Sequence, residues 1–250
     1  MTNVRAERSG QVGSLIIDNP DRRNAMTRQM YADVPQAVEQ LVAGGDLRCV
    51  ILRGAGNEAF CAGSDVSEFK TQRTANSAAD YAGIEHRAFG AIAELSTPTI
   101  AAIHGPCMGG GVALATSCDL RIAADDATFS VPPGKLGVGY AVDGAQNLAR
   151  LIGVPQAKML LLTACVIDAA EALRIGLVNQ VVAKDHLDEH VHDLTQRISQ
   201  LAPLTLTAAK LALDHRPEAH DAVRACFASA DYREGIASFE QKRRPSFEGR

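Results

Sequence analysis

Apolar positions in the first half of the chain alternate between two rhythms. Ser14 to Asp18 is a short apolar run of strand length, closed by the turn sequence Asn19-Pro20-Asp21. From Thr27 onward Met30, Val34, Val38 and Leu41 recur at helical spacing until Gly44-Gly45 stops them, and Arg48 to Arg53 reads as the next strand. The order then repeats. Ile84, Ala88, Ile92 and Leu95 mark a helix, Ser96-Thr97-Pro98 breaks it, and Thr99 to Ile103 is again a strand. Gly105 and Gly109-Gly110-Gly111 precede a short apolar helix, with a further strand near Leu120 to Ala123. Strands alternating with helices predict a layered α/β fold. The glycine-bearing loops between them depart from the rhythm of a plain nucleotide-binding sheet.

From Asp143 the pattern turns mainly helical: Ala145 to Leu151, Gln156 to Leu162 and Ala169 to Ile175, a short strand Val178 to Val182, then longer helices after Asp185 and Pro203. No linker, repeat or low-complexity tract divides the 250 residues, so one large domain, or one with a small appendage, is expected. Charge narrows the partners: 25 Lys and Arg against 29 Asp and Glu leave no general basic field for nucleic acid or an anionic membrane. A local basic pocket for a phosphorylated ligand stays compatible with that balance. Met1 to Gly13 contains no apolar leader core and no run of about 18 apolar residues follows, so a cytoplasmic location is expected. The six cysteines form no Cys-x-x-Cys pair and read as small buried hydrophobes. His186, His190 and Asp193 have the spacing of a metal pair, but their neighbours Asp185, Asp188 and Glu189 favour a solvated helix face.

Two segments carry candidate chemistry: Phe60 to Asp65, and His104 to Gly111. Each follows an apolar strand and contains residues that let backbones approach closely. Glycines ahead of a helix can present free amides to an anionic oxygen, because first-turn N–H groups have no intrahelical acceptor. Two such amides converging form an oxyanion hole, although a triple glycine is as readily a turn or packing device. Gly54 to Ala59 imitates a dinucleotide-binding fingerprint, yet that fingerprint needs a helix to begin at once. Asn57 and Ala62-Gly63-Ser64 predict irregular chain there instead.

The ordered set Ile16-Ile17-Asp18-Asn19-Pro20, Asn24-Ala25-Met26, Phe60 to Asp65, Ile103-His104-Gly105 with Gly109-Gly110-Gly111, and Cys118-Asp119-Leu120 resembles the crotonase (enoyl-CoA hydratase/isomerase) superfamily. The likeness continues through Leu148 to Gly153, Ala172 to Val178 and the tail Asp231 to Phe247. It implies a spiral of ββα units over residues 1–195, followed by a helical trimerisation region over 196–250 and an assembly of homotrimers or paired trimers. The implied activity is that of an acyl-CoA lyase or isomerase needing no cofactor beyond the coenzyme A carried by its substrate. By motif position the oxyanion amides belong to Ser64 and Gly110, with the backbone rather than the hydroxyl of Ser64 as the donor. Ala25, Ala62, Ser64, Asp65, Val66, Ser67, Gly110 and Pro133 line the implied CoA and acyl path. Arg22 or Arg23 is placed to reach a phosphate, or else sits in an ordinary exposed turn.

The resemblance also implies two glutamates in the hydratases, one in the helix after the triple glycine and one after the strand holding Phe129. Here those positions are Ala113 and Pro133, which cannot exchange a proton. Efficient standard hydration is therefore not expected, whereas a thioester enolate would still gain from the two amides. Three polar residues in segments similar to family active sites remain: His86, Tyr140 and Asp143. His86 is either catalytic or a satisfied structural histidine, possible to bury beside Ala82 and Phe89. Asp143 is either a carboxylate of the site or the N-cap of the following helix. Leu136 to Tyr140 is similar to a segment of methylmalonyl-CoA decarboxylases, so loss of CO₂ from a 2-carboxyacyl-CoA is one alternative. A non-catalytic acyl-CoA-binding relative is another.

Overall fold

The chain begins with a strand that the apolar pattern does not mark. In the computed structural model, which describes residues 3–250, Asn3–Ser9 (β1) pairs antiparallel with Val12–Asp18 (β2). β1 lies at a sheet edge and has only Val4 and Ala6 to pack inward, so its charged residues hide the strand rhythm while suiting an edge. Cys49–Gly54 (β3), Thr99–Ile103 (β4), Leu120–Ala124 (β6) and Gln180–Val182 (β9) continue parallel from β2, in the order β1-β2-β3-β4-β6-β9. A second sheet holds Pro106–Met108 (β5), Thr128–Ser130 (β7) and Ile167–Asp168 (β8). Thus β4 and β6 each hand the chain to the smaller sheet, and a helix follows each transfer: Gly110–Thr116 (α4) after β5, and Pro133–Leu136 (α5) after β7. These are the ββα units expected from the resemblance.

Arg28–Ala43 (α1) starts where Thr27 caps it, the side chain accepting from Met30 N at 3.1 Å. Its buried face, including Tyr31, Val34 and Leu41, packs on Ala78–Ala93 (α3), which follows the short helix Phe69–Gln72 (α2). Tyr31 meets Tyr81 and Phe89 of α3 edge to face, at ring separations of 6.3 and 5.9 Å. Between β3 and α2 no helix begins at Gly54, so the dinucleotide fingerprint lacks its structural context, as the intervening residues predict. Buried Asn24 instead clamps that loop, donating to the carbonyls of Ala55 and Ala59 at 3.0 and 2.7 Å.

The two helices expected after Asp143 run end to end as Val142–Thr163 (α6), with a break at Gly153, where φ is 77°. Asp143 is not the cap: Ala141 occupies that position, and Asp143 lies within the first turn. Ala169–Arg174 (α7) leads to β9 and then Leu187–Ser199 (α8), whose Leu187 and Val191 cover Cys49, Ile100 and Ile122 on one face of the large sheet. The expected division between residues 195 and 196 falls inside α8. Pro203–Leu213 (α9), Ala219–Ala228 (α10) and Ala230–Glu240 (α11) complete the chain. Lys210 ties α9 to Asp119 at 2.9 Å, and Arg48 donates to the carbonyl of Phe247 at 2.9 Å. His190 is hydrogen-bonded to Gln180. Among the described residues no helix is long and apolar enough to cross a membrane.

The segment that follows β3 is bonded along β5 of the smaller sheet. Cys61 N donates to Pro106 O and Met108 N donates to Cys61 O, at 3.1 and 2.9 Å. Three residues beyond Met108, a Cβ on Gly111 would stand 2.6 Å from Cys61 O. Helix propensity alone makes Gly111→Ala stabilising by about 1 kcal/mol. The backbone contact predicts the opposite sign: a loss of about 1 to 3 kcal/mol as the segments are forced apart. Urea denaturation of the variant decides between the two, and any gain in stability contradicts the contact.

Candidate active site

The bonds at Cys61 bring the strand-following segments 60–64 and 105–111 side by side. Met26 N donates to Gly63 O and Asp65 N donates to Met26 O, at 2.8 and 2.7 Å, so the intervening Ser64 amide faces away from this bridge. Gly110 opens α4 and its amide has no preceding turn to bond. Among the described residues, neither Ser64 N nor Gly110 N donates to a backbone carbonyl. Both residues line one cavity that opens to solvent. A Cβ built on Gly63 would lie 3.7 Å from Gly110 N, which shows how closely the two amide-bearing segments approach.

The side chains around these amides form a polar chain. Tyr31 Oη and Ser64 Oγ are hydrogen-bonded at 3.1 Å, and Ser64 Oγ donates to Glu85 Oε1 at 3.2 Å. Arg73 Nη2 donates to Glu85 Oε2, also at 3.2 Å, while its guanidinium stacks over the rings of Phe69 and Tyr81. The Ser64 hydroxyl is therefore turned to Tyr31 and Glu85, apart from the backbone amide that was expected as the donor. Burial raises the Glu85 carboxyl above the ordinary glutamate value, with Arg73 and the Ser64 bond pulling it back down. Burial pushes the nearby Cys61 thiol up to about 12 and Cys107 well above its ordinary value, so neither supplies a thiolate nucleophile at neutral pH.

Of the residues singled out in the sequence, Ala62, Ser64, Val66, Gly110, Pro133 and Tyr140 line the cavity. So does Ala113, which means that both positions where the resemblance implies a glutamate in the hydratases face this space as apolar wall. Tyr140 lies over Gly144 of α6, and burial raises its phenol further above neutral pH. His86 and Asp143 are brought together at 3.0 Å, but as an exposed pair, 70% and 66% accessible, and neither lines the cavity. Burial of His86 beside Ala82 and Phe89 does not occur. Ala25 is buried and does not line the cavity. Asp65 accepts from the amide and hydroxyl of Ser67, capping a single turn, and also meets exposed Arg22 at 3.4 Å. Arg22 thus sits beside the 64–67 segment, paired rather than free.

Glu85 and Arg73 were not singled out by the sequence reading. A signal for Glu85 was present: Tyr81, Ile84, Ala88 and Ile92 form the buried stripe of α3, and Glu85 falls on that stripe. A carboxylate on an apolar stripe needs a buried partner or a use. Arg73 lies in irregular chain between α2 and α3, where periodicity offers no guide.

Residues 7–250 match the family model described as enoyl-CoA hydratase/isomerase. The chain is 33% identical to a short-chain-enoyl-CoA hydratase of Clostridium acetobutylicum, over 98% of this chain and 97% of the relative. A crotonyl-CoA hydratase of Syntrophomonas wolfei is 34% identical over the same shares. The crystal structure of an enoyl-CoA hydratase/carnithine racemase from Magnetospirillum magneticum superposes with a TM-score of 0.95 at 34% identity, covering 100% of this chain and 97% of that one.

A double-mutant cycle tests the packing at the amides. A Cβ on Gly110 would stand 2.0 Å from Tyr31 Oη but 3.4 Å from Tyr31 Cζ, so only the hydroxyl is in the way. Gly110→Ala is expected to cost about 1 to 3 kcal/mol, and adding Tyr31→Phe to recover at least about 1 kcal/mol of it. Additive effects in chemical denaturation would show that the two groups do not touch.

Proposed function

Since the chain belongs to the enoyl-CoA hydratase/isomerase family, we propose that it converts an acyl-CoA thioester through an enolate, with Ser64 N and Gly110 N donating to the thioester oxygen, and that it is a poor standard hydratase. The carrying observation is that Ala113 and Pro133 both form cavity wall. Hydration needs a positioned water and a proton delivered to carbon, and neither alanine nor proline orients the one or supplies the other. The amides keep their use for any reaction in which negative charge builds on the thioester oxygen. Each such donor typically lowers the barrier by about 2.7 to 4 kcal/mol.

Decarboxylation of a 2-carboxyacyl-CoA is the second reading, favoured by two donors on the wall, the Arg73 guanidinium and the Tyr140 hydroxyl. Loss of CO₂ leaves the bond pair of electrons on carbon 2, and the enolate forms without a base removing a carbon-bound proton. In this reading the donors hold the departing carboxylate, and the amides accept the charge. Arg22, beside Ser67 at 3.2 Å, is proposed to meet a phosphate of the CoA moiety near the 64–67 segment. A relative that binds acyl-CoA without turning it over is the competing class.

Assembly into homotrimers or paired trimers is part of the same proposal. Exposed Leu162, Leu213, Phe227, Ile236 and Phe239 in the C-terminal half support it, being more apolar surface than a monomer needs. Light scattering of the purified protein is expected to give three or six times 26.5 kDa. A stable monomer would contradict that.

Crotonyl-CoA turnover, measured beside methylmalonyl-CoA decarboxylation on one preparation, tests the reaction. Hydration is expected to fall far below the ordinary enzyme range of about 1 to 10³ per second. Crotonyl-CoA hydration within that range would overturn the poor-hydratase reading. Binding of both thioesters with no turnover of either would favour the non-catalytic class.

A further inference from the structure

Among the described residues, Glu85 is the one carboxylate that lines the cavity. We propose that Glu85 is the proton-transfer group of this site, exchanging a proton with carbon 2 of the bound thioester while Arg73 and Ser64 hold its two oxygens. The assignment rests on the acyl-CoA enolate reading above, and it gives the site a single proton-transfer group on α3, with no second carboxylate on the wall to position water for hydration.

The geometry meets the requirements of such a group. Glu85 reaches the cavity from the buried face of α3, and its side chain is only 7% exposed. Each carboxylate oxygen has one fixed donor, Ser64 Oγ on Oε1 and Arg73 Nη2 on Oε2, so the group is oriented without being saturated. An ionised carboxylate has about four acceptor sites, which leaves lone pairs for a substrate proton. Ser64 belongs to both halves of the device, its amide placed for the thioester oxygen and its hydroxyl for the carboxylate. A carbon-bound proton between them would be addressed from two sides, by the amide of Ser64 and by the carboxylate that the same residue's hydroxyl holds.

A merely structural ion pair accounts for less. Replacing a buried pair with apolar residues is often neutral or stabilising. Here both partners border an open cavity instead of being sealed within the core. The step itself is balanced. Ionised Glu85 takes the proton from carbon 2, the C–H electron pair moves into the C1–C2 bond, and the carbonyl pair moves onto the oxygen held by the amides. Return of the proton from Glu85 to carbon reverses the flow. In the decarboxylation reading, protonated Glu85 performs only this second half, and CO₂ leaves in place of the proton.

Exchange at carbon 2 of butyryl-CoA in D₂O, followed by mass spectrometry, reads the step without knowledge of the natural substrate. The wild type is expected to incorporate deuterium. Glu85→Gln is expected to bind butyryl-CoA within about threefold of wild type by calorimetry while losing about 10²- to 10⁴-fold in exchange rate. Glu85→Asp, which keeps the charge but withdraws it, should fall between them. Exchange in Glu85→Gln within threefold of wild type overturns the assignment alone; wild-type protein that fails to bind or to exchange overturns the enolate reading with it.

The wild-type pH profile gives a second readout should Glu85→Gln fail to fold. The groups facing Glu85 are the Arg73 cation and the phenols of Tyr31, Tyr81 and Tyr140, with the Cys61 thiol next to Tyr31 and the Cys107 thiol next to Tyr140; His86, next in the chain, faces solvent with Asp143. Burial raises all three phenols and both thiols. Because the base form of Glu85 grows only above its raised value, exchange is expected to climb with pH through one inflection above the ordinary glutamate range. A profile flat through the acid and neutral range overturns the assignment.

Discussion

Cys61 donates to one carbonyl of the 106–108 strand and accepts from one of its amides, joining two segments that leave different strands of the large sheet. The approach of the two amide-bearing segments follows from that contact. With no side chain between the backbones, Gly111 can seat α4 against Cys61 O, and Gly110 then lies beside Ser64. Side chains at those positions would separate the segments and their amides together. Local stability and the spacing of the amides are thus the same constraint, one that backbone groups satisfy without rotamer entropy to lose. Preorganised amides also need no rearrangement when charge develops on a bound oxygen.

Polar groups in the wall obey a second constraint. A carboxylate taken from water into a largely apolar pocket requires hydrogen-bonding partners, and Glu85 has them in Ser64 and Arg73. Arg73 is itself held by the faces of Phe69 and Tyr81, so the cation stays in place although its segment is irregular. Removing one member of such a buried pair typically costs about 3 to 5 kcal/mol, which ties the integrity of the α2 to α3 region to the site. Tyr31 extends the chain to α1, whose own start depends on the Thr27 cap. The polar network therefore touches the first helix, the α2 to α3 region and the loop that carries an amide.

The elements themselves were legible from periodicity. The strands at Ser14 to Asp18 and Thr99 to Ile103, the helix after Thr27 and the break at Gly153 all follow from local patterns of apolar residues, caps and glycine. The ordered motifs carried the family, because several short segments in fixed order are far less degenerate than any one. β1 escaped because an edge strand buries too little to alternate clearly. Asp143 was drawn toward a capping role by its place ahead of a helical pattern, whereas the helix begins one residue earlier and its carboxylate turns to His86.

His86 and Glu85 show where local reading stops. Adjacent residues on an α-helix point about 100° apart, so one of them can enter a cavity while the next meets solvent. The sequence determined that α3 is a helix and which stripe of it is buried, and it placed Glu85 on that stripe. It also determined that positions 113 and 133 carry no proton-transferring side chain. Only the tertiary structure decided that those two positions share a cavity with the amides of residues 64 and 110. It alone brought Arg73 from an irregular segment onto Glu85 and set the Ser64 hydroxyl between Tyr31 and that carboxylate. The physical reason is that periodicity reports which way a residue faces within its own element, whereas a site is made of residues from several elements whose meeting depends on packing.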